Sequence, residues 1–379
     1  MNGAEGIIKV GEYMRTYDDI EYNYHEYPNN DVYITIGINI GVATRYFLID
    51  GKQNYSNNLA FANIFADYLQ LIMGDKIVVD VDRTITTITM MTKQSEWIND
   101  FVILLKGVFL NDMDEVQFDR ACMMARAGFE KAYKNGEFRA IYKAYEYADT
   151  NKGYTLSKLI EDIQNISFRI FVEAKKYLIV ASNMYIYVNG NLKDISDSDK
   201  DLVSEIIFKN EHTAYLGGRV IDQLLKEDAH LLELSRQDIN MDILSFGFKE
   251  NISILDKIIY LNIESDKISE DNKILHIDEF DSSLIIRTEE VKKNCNYFKR
   301  PVNKQQFEVA REKMIKKYSQ WLERNPVRFN MKAVELMMER VAVTDLLEIV
   351  INLQYEDYVE IATKIRPKVS EAQIVMRRR

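Results

Sequence analysis

Four histidines occur in the chain, His25, His212, His230 and His276, and no two stand three or four positions apart. Two imidazoles need that spacing to grip one metal ion from one helical face, so the histidines read as surface or packing residues. Cys122 and Cys295 form no C-x-x-C pair and have no histidine beside them in sequence. A thiol without a neighbouring base stays protonated, and both read as free thiols of a reducing cytoplasm. Asp80 and Asp82 are spaced for one strand face and could meet a hard cation, but a solvated turn between two strand-like runs is the simpler reading. No metal site and no activated nucleophile is expected from these residue types and spacings.

The elements that would position such groups are legible from periodicity. A tyrosine-rich lead (Tyr22, Tyr24, Tyr27) precedes a β-branched run, Val32 to Leu48, that predicts a strand, and Gly51 to Asn58 then turns the chain. Phe61, Ile64, Phe65, Tyr68, Leu69 and Ile72 recur every three or four residues and predict a helix ending near Gly74. Lys76 to Val81 and Thr84 to Met91 predict a hairpin. Ser95 can cap a helix with Trp97, Phe101, Leu104, Leu105 and Val108 on its buried face. A long helical region from Asp114 to Tyr147 breaks at Asn135 and Gly136. Helices opened by Thr155 and Ser167 follow, then a strand from Tyr177 to Val188 that stops at Asn189 and Gly190.

With 379 residues and 47% hydrophobic residues, two domains are expected. A net charge of −10 argues against nucleic-acid binding, and the terminal Arg377, Arg378 and Arg379 read as a solvated tail. No signal peptide is visible in MNGAEGIIKVGEYMRTYDD, and no apolar run reaches the length a bilayer requires. Order in the elements repeats. Gln117-Phe118 and Gln306-Phe307 open similar helices 189 residues apart (307 minus 118), and Arg139 and Arg328 share that offset. The strand Ile34 to Val42 matches Met241 to Phe248, and the hairpin strand Thr84 to Met91 matches Leu284 to Glu289. The division predicted is a first unit over 1–190, a linker and connecting helix over 191–235 with the helix near Ile221 to Leu234, and a shorter second unit over 236–379.

This duplicated order, with the ending YLIVASNMYIYVNGNL, resembles the insulinase-like M16 peptidases, and within them the non-catalytic subunits encoded with bacteriocin-maturation peptidases. The resemblance implies an α+β fold of two tandem homologous units, each an antiparallel-rich sheet covered by helices on one side. Active members carry His-x-x-Glu-His on the first helix and a glutamate on the long helix downstream, which together hold a zinc ion and its water. Here the first helix reads LAFANIFADYLQ, with no histidine and Asp67 as its only acid. The positions matching the third ligand are Ala127 or Gly128, and Glu130 would face elsewhere, since three residues turn a helix by about 300°.

What the resemblance implies is therefore an inactive partner. The chain would hold no cofactor, would pair with a catalytic homologue that carries the zinc, and would supply half of a chamber in which a peptide precursor is processed in the cytoplasm. Inactive partners in that family often donate an arginine and a tyrosine seven residues apart; the nearest substitutes here are Tyr260 and Arg287. Tyr142 and Tyr145, on the tyrosine-rich long helix, are candidate wall residues. A stand-alone peptide-binding scaffold and an enzyme using Asp67 or Cys122 are the competing readings.

Overall fold

The structure is a computed structural model that describes residues 20–42, 44–49, 52–56, 60–82, 85–109, 114–148, 156–192, 196–209, 218–219, 231–237, 241–248, 252–271, 274–279, 283–288, 300–338 and 343–378. Strands β1 (Ile20–Tyr24), β2 (Asp31–Ile38), β3 (Thr44–Ile49) and β4 (Lys52–Ser56) come first, then helix α1 (Phe61–Met73), β5 (Ile77–Val81), β6 (Thr86–Lys93) and α2 (Trp97–Phe109). They are followed by α3 (Glu115–Lys134), α4 (Gly136–Ala148), α5 (Leu156–Asn165), α6 (Phe168–Leu178), β7 (Met184–Gly190) and α7 (Asp197–Lys209). The remainder comprises β8 (Gly218–Arg219), β9 (Leu231–Gln237), β10 (Met241–Phe248), α8 (Ile254–Asp271), β11 (Ile274–Glu279) and β12 (Ser283–Thr288), then α9 (Lys304–Arg324), α10 (Pro326–Met337), α11 (Val343–Asn352), α12 (Tyr355–Ile365) and β13 (Val369–Arg378).

Two five-stranded sheets carry the duplication. One runs β1-β7-β2-β6-β5 and the other β9-β13-β10-β12-β11. Strand for strand they agree: β1 pairs parallel with β7 and β9 with β13, while β2 and β10 are each flanked by antiparallel neighbours. A small third sheet, β4-β3-β8, completes the strands described.

The sequence repeat and the packed units are cut differently. One compact unit contains residues 1–125, 163–219 and 319–344; the other contains 126–162, 220–318 and 345–379. Helix α10, from the second repeat, packs on β2, β7 and β6 of the first unit, and α4, from the first repeat, packs on β10, β13 and β12 of the second. Each sheet is therefore covered by a helix encoded in the other half of the chain. Local periodicity gives a helix an apolar stripe but does not say which sheet buries it.

Side-chain chemistry fixes α10 in the first unit. Asn330 Nδ2 donates to the Tyr33 carbonyl at 3.1 Å, and Asn330 Oδ1 accepts from Asn189 Nδ2 at 3.3 Å. Asn189 also donates to the Tyr27 hydroxyl at 2.8 Å, which in turn donates to the Leu322 carbonyl at 3.0 Å near the end of α9. Close approach is secured by Gly37 in β2: a Cβ there would stand 2.8 Å from Val334 Cβ on α10.

The helix starts show the repeat at atomic detail. Asn135 Oδ1 accepts from Glu137 N at 2.9 Å ahead of α4, and Asn325 Oδ1 caps α10 through Arg328 N at 3.3 Å. These caps correspond at an offset of 190 (325 minus 135), one residue more than the offset read from sequence, so Arg328 falls opposite Phe138 and not Arg139.

Other expectations shift for physical reasons. The run Val32 to Leu48 divides into β2 and β3, with Asn39 N bonded to the Asn183 carbonyl at 3.0 Å where the ladder ends. The expected strand from Tyr177 starts only at Met184, because Phe171, Ala174 and Leu178 bury one helical face and carry α6 on to Leu178. The helix described in the connection is α7; of the helix expected near Ile221 to Leu234, Leu231 to Leu234 lie in β9 and the rest lies outside the described residues. Asp197 and Asp199 favour the α7 start through the helix dipole. Ser167 caps α6, accepting from Ile170 N at 3.4 Å, whereas Thr155 lies outside the described residues.

Lys175 on α6 yields a pH test. It is 8% exposed, and its ammonium donates to the Phe109 carbonyl at the end of α2 at 2.9 Å. Burial pulls the amine down from its usual 10.5 to about 8. The unfolded chain thus binds this proton more tightly, so carrying the charge costs stability at neutral pH, and stability rises as pH climbs from about 8 to 10.5. Lys175→Met is expected to abolish that rise, as read from urea midpoints across the window.

Candidate functional site

The first helix after the central strand is where the resemblance would put a metal. In α1, Phe61, Ile64, Phe65, Tyr68 and Leu69 are buried, and a partly covered polar line, Asn63, Asp67 and Gln70, runs beside them at helical spacing. Burial holds the Asp67 carboxyl up to about 6. Tyr68 donates to Gln117 Oε1 on α3 at 3.1 Å, and Phe61 and Tyr68 pack on Phe171.

That donor set does not fit zinc. Helix α1 supplies an amide and one carboxylate in place of imidazoles, and no group of three His, Cys, Asp or Glu side chains among the described residues is placed to hold a metal ion. Gly128 on α3 faces open space, and Glu130 is exposed and paired with Arg126 at 2.7 Å. His25 stacks edge-on to Tyr27 at 4.5 Å. The side chains of His212, His230, His276 and Cys295 lie outside what the structure describes. Asp82 serves the backbone of its turn, its N–H donating to the Ile85 carbonyl at 2.9 Å and its own carbonyl accepting from Val42 N at 3.1 Å. Cys122 on α3 is partly covered, and burial, seconded by the charge of Asp119, pushes its thiol up to about 11. Such a thiol is a poor nucleophile at neutral pH.

The sequence-predicted contact residues fall in the second unit. Tyr260 is 0% exposed on α8, among the core of that unit. Arg287 sits in β12 opposite Ile243 of β10 and His276 of β11, its side chain outside the described atoms. Tyr142 on α4 is half-buried, edge-on to Phe129 at 6.4 Å, and its phenol is pushed up to about 12 by burial. Tyr145 is on the same helix, its side chain likewise outside the description.

What spacing did not reveal is the charged cluster on α8. The Glu264 carboxylate, 0% exposed, receives the Lys267 ammonium, the Tyr358 hydroxyl at 2.8 Å and the Arg366 guanidinium at 3.4 Å. Lys267 also donates to the Arg300 carbonyl at 2.8 Å. Glu264 and Lys267 at i and i+3 read in sequence as a solvated ion pair; only tertiary burial distinguishes the two.

With this geometry in place, comparison with solved structures defines the fold. A protein from Alicyclobacillus acidocaldarius described as an M16-like peptidase superposes with a TM-score of 0.75 at 10% identity, over 98% of this chain and 100% of its own. The inactive domain of a peptidase M16 from Pseudomonas fluorescens gives 0.66 at 10% identity, over 96% and 97%. The periplasmic protease PqqL from Escherichia coli gives 0.63 at 9% identity, over 97% of this chain and 47% of its own. No family profile and no curated protein matches the sequence. The fold is thus that of the M16-type peptidases, with α and β elements in two homologous sheets, as the resemblance implied. No helix among the described residues is long and apolar enough to cross a membrane.

Proposed function

We propose that this chain is the non-catalytic subunit of a heterodimeric zinc peptidase, that it supplies half of the substrate chamber, and that the complex processes a peptide precursor in the cytoplasm, in bacteriocin maturation or leader removal. One observation carries the reading: α1, the helix on which the resemblance would put the zinc motif, bears no imidazole. The likeness to an inactive M16 domain supports it. Pairing is supported by PqqL, a single chain about twice the length that this one matches.

The zinc belongs to the partner, which would carry His-x-x-Glu-His. This chain would contribute surface for an extended peptide, held by backbone hydrogen bonds at a sheet edge and by side-chain pockets. Tyr142, Tyr145 and Arg287 remain candidates for that surface. Tyr260, wholly inside the core, has no surface to offer.

Copurification from the native host tests the proposal. The expected result is a stoichiometric complex with a His-x-x-Glu-His homologue that cleaves a peptide only when both chains are present. A partner peptidase equally active without this chain would favour the stand-alone scaffold instead.

A further inference from the structure

Among the described residues, helix α1 contains two acceptors with nothing to accept from. Asn63 Oδ1 is buried and has no hydrogen-bond donor there. One turn later the half-buried Asp67 carboxylate has neither an ion pair nor a hydrogen-bonded side chain on it. Residues four apart on a helix share a face, about 5–6 Å between their Cβ atoms. Gln70, next along the same line, is by contrast satisfied, its Nε2 donating to the Gly74 carbonyl at 2.7 Å.

An orphaned buried acceptor destabilises the fold, and a half-buried carboxylate without a counter-charge adds to that. Two such acceptors one helical turn apart, one neutral and one anionic, suit a positively charged group with several N–H donors. A metal ion is a worse match, since a third ligating side chain is missing from the described residues. A nitrogen cation requires no third ligand.

We infer that Asn63 and Asp67 form a receptor for a nitrogen cation, the ammonium of a lysine or the guanidinium of an arginine in the bound peptide. The peptide origin of the cation rests on the function proposed above; the cation site does not. The acidic balance of the chain, −10, is compatible with a cationic ligand.

Carboxyl-13C NMR of the full chain tests the inference, with the Asp67 resonance assigned by its loss in Asp67→Asn. The probes are Nα-acetyl-lysine amide, Nα-acetyl-arginine amide and the uncharged Nα-acetyl-norleucine amide. The lysine or arginine probe is expected to move the Asp67 resonance saturably while the norleucine probe leaves it in place. Asn63→Leu is expected to weaken that binding about tenfold, the equivalent of one lost hydrogen bond. An immobile Asp67 resonance, or one that norleucine amide moves equally, overturns the site. A resonance that moves with zinc chloride and with neither amide also overturns it, in favour of a metal. No partner subunit and no peptide takes part, so a failure here leaves the processing role standing, and a failure of the processing role leaves a positive result here intact.

Discussion

Replacing Glu264 by alanine is expected to destabilise the second unit by about 3–5 kcal/mol, because it leaves opposite charges buried without their counter-ion. Lys267 is 9% exposed and would lose its carboxylate partner; the Tyr358 hydroxyl and the Arg366 guanidinium would lose the acceptor they share. In the wild-type chain burial, with the negative charge of Glu264 second, holds the Tyr358 phenol far above its usual range. Glu264→Gln preserves the volume and an acceptor for Tyr358 but not the charge, and falls between wild type and alanine. Hydrogen exchange along α8 and α12 measures the effect without assuming that the chain unfolds in one step. Protection within about 1 kcal/mol of wild type in Glu264→Ala would mean that the cluster contributes no more than a surface pair.

Gly190→Ala is expected to cost about 3 kcal/mol or more in the first unit, through backbone strain and overlap together. Gly190 ends β7 at φ +155°, and a Cβ there would stand 2.7 Å from the Asp31 carbonyl oxygen and 2.8 Å from Val32 Cα. Both obstacles are backbone of the neighbouring strand, so no rotamer change relieves them. The damage falls where β1, β7 and β2 meet: Gly190 pairs with Tyr24 and Val32, its carbonyl accepts from His25 N at 2.9 Å, and Asn189 beside it anchors α10. Both tryptophans, Trp97 and Trp321, belong to this unit, so the urea midpoint of tryptophan emission reads the change directly. An unchanged midpoint would show that the β7 end can relax.

The sequence made individual elements legible wherever one face of a helix or strand is buried. Helices α1 and α2 and the β5–β6 hairpin lie close to where periodicity placed them, since Phe61, Ile64, Phe65, Tyr68 and Leu69, or Trp97, Phe101, Leu104, Leu105 and Val108, meet one local surface. The exchange of α4 and α10 between the sheets was not legible, because an apolar stripe carries no address. Leu231 to Leu234 read as helix because a short apolar run fits either period, and its pairing with β13 decides for strand. At the candidate site the absence of histidine from α1 was plain. The amide of Asn63 was not recognisable as an acceptor without a donor, because that property comes from its surroundings and not from its residue type.

We propose that this chain, whose fold is of the M16 type, holds no zinc of its own. Metal analysis of the purified full-length chain, dialysed against zinc and then against buffer, tests it most directly. The account predicts far less than one zinc per chain; one tightly held zinc per chain, lost on mutation of its own side chains, would contradict it.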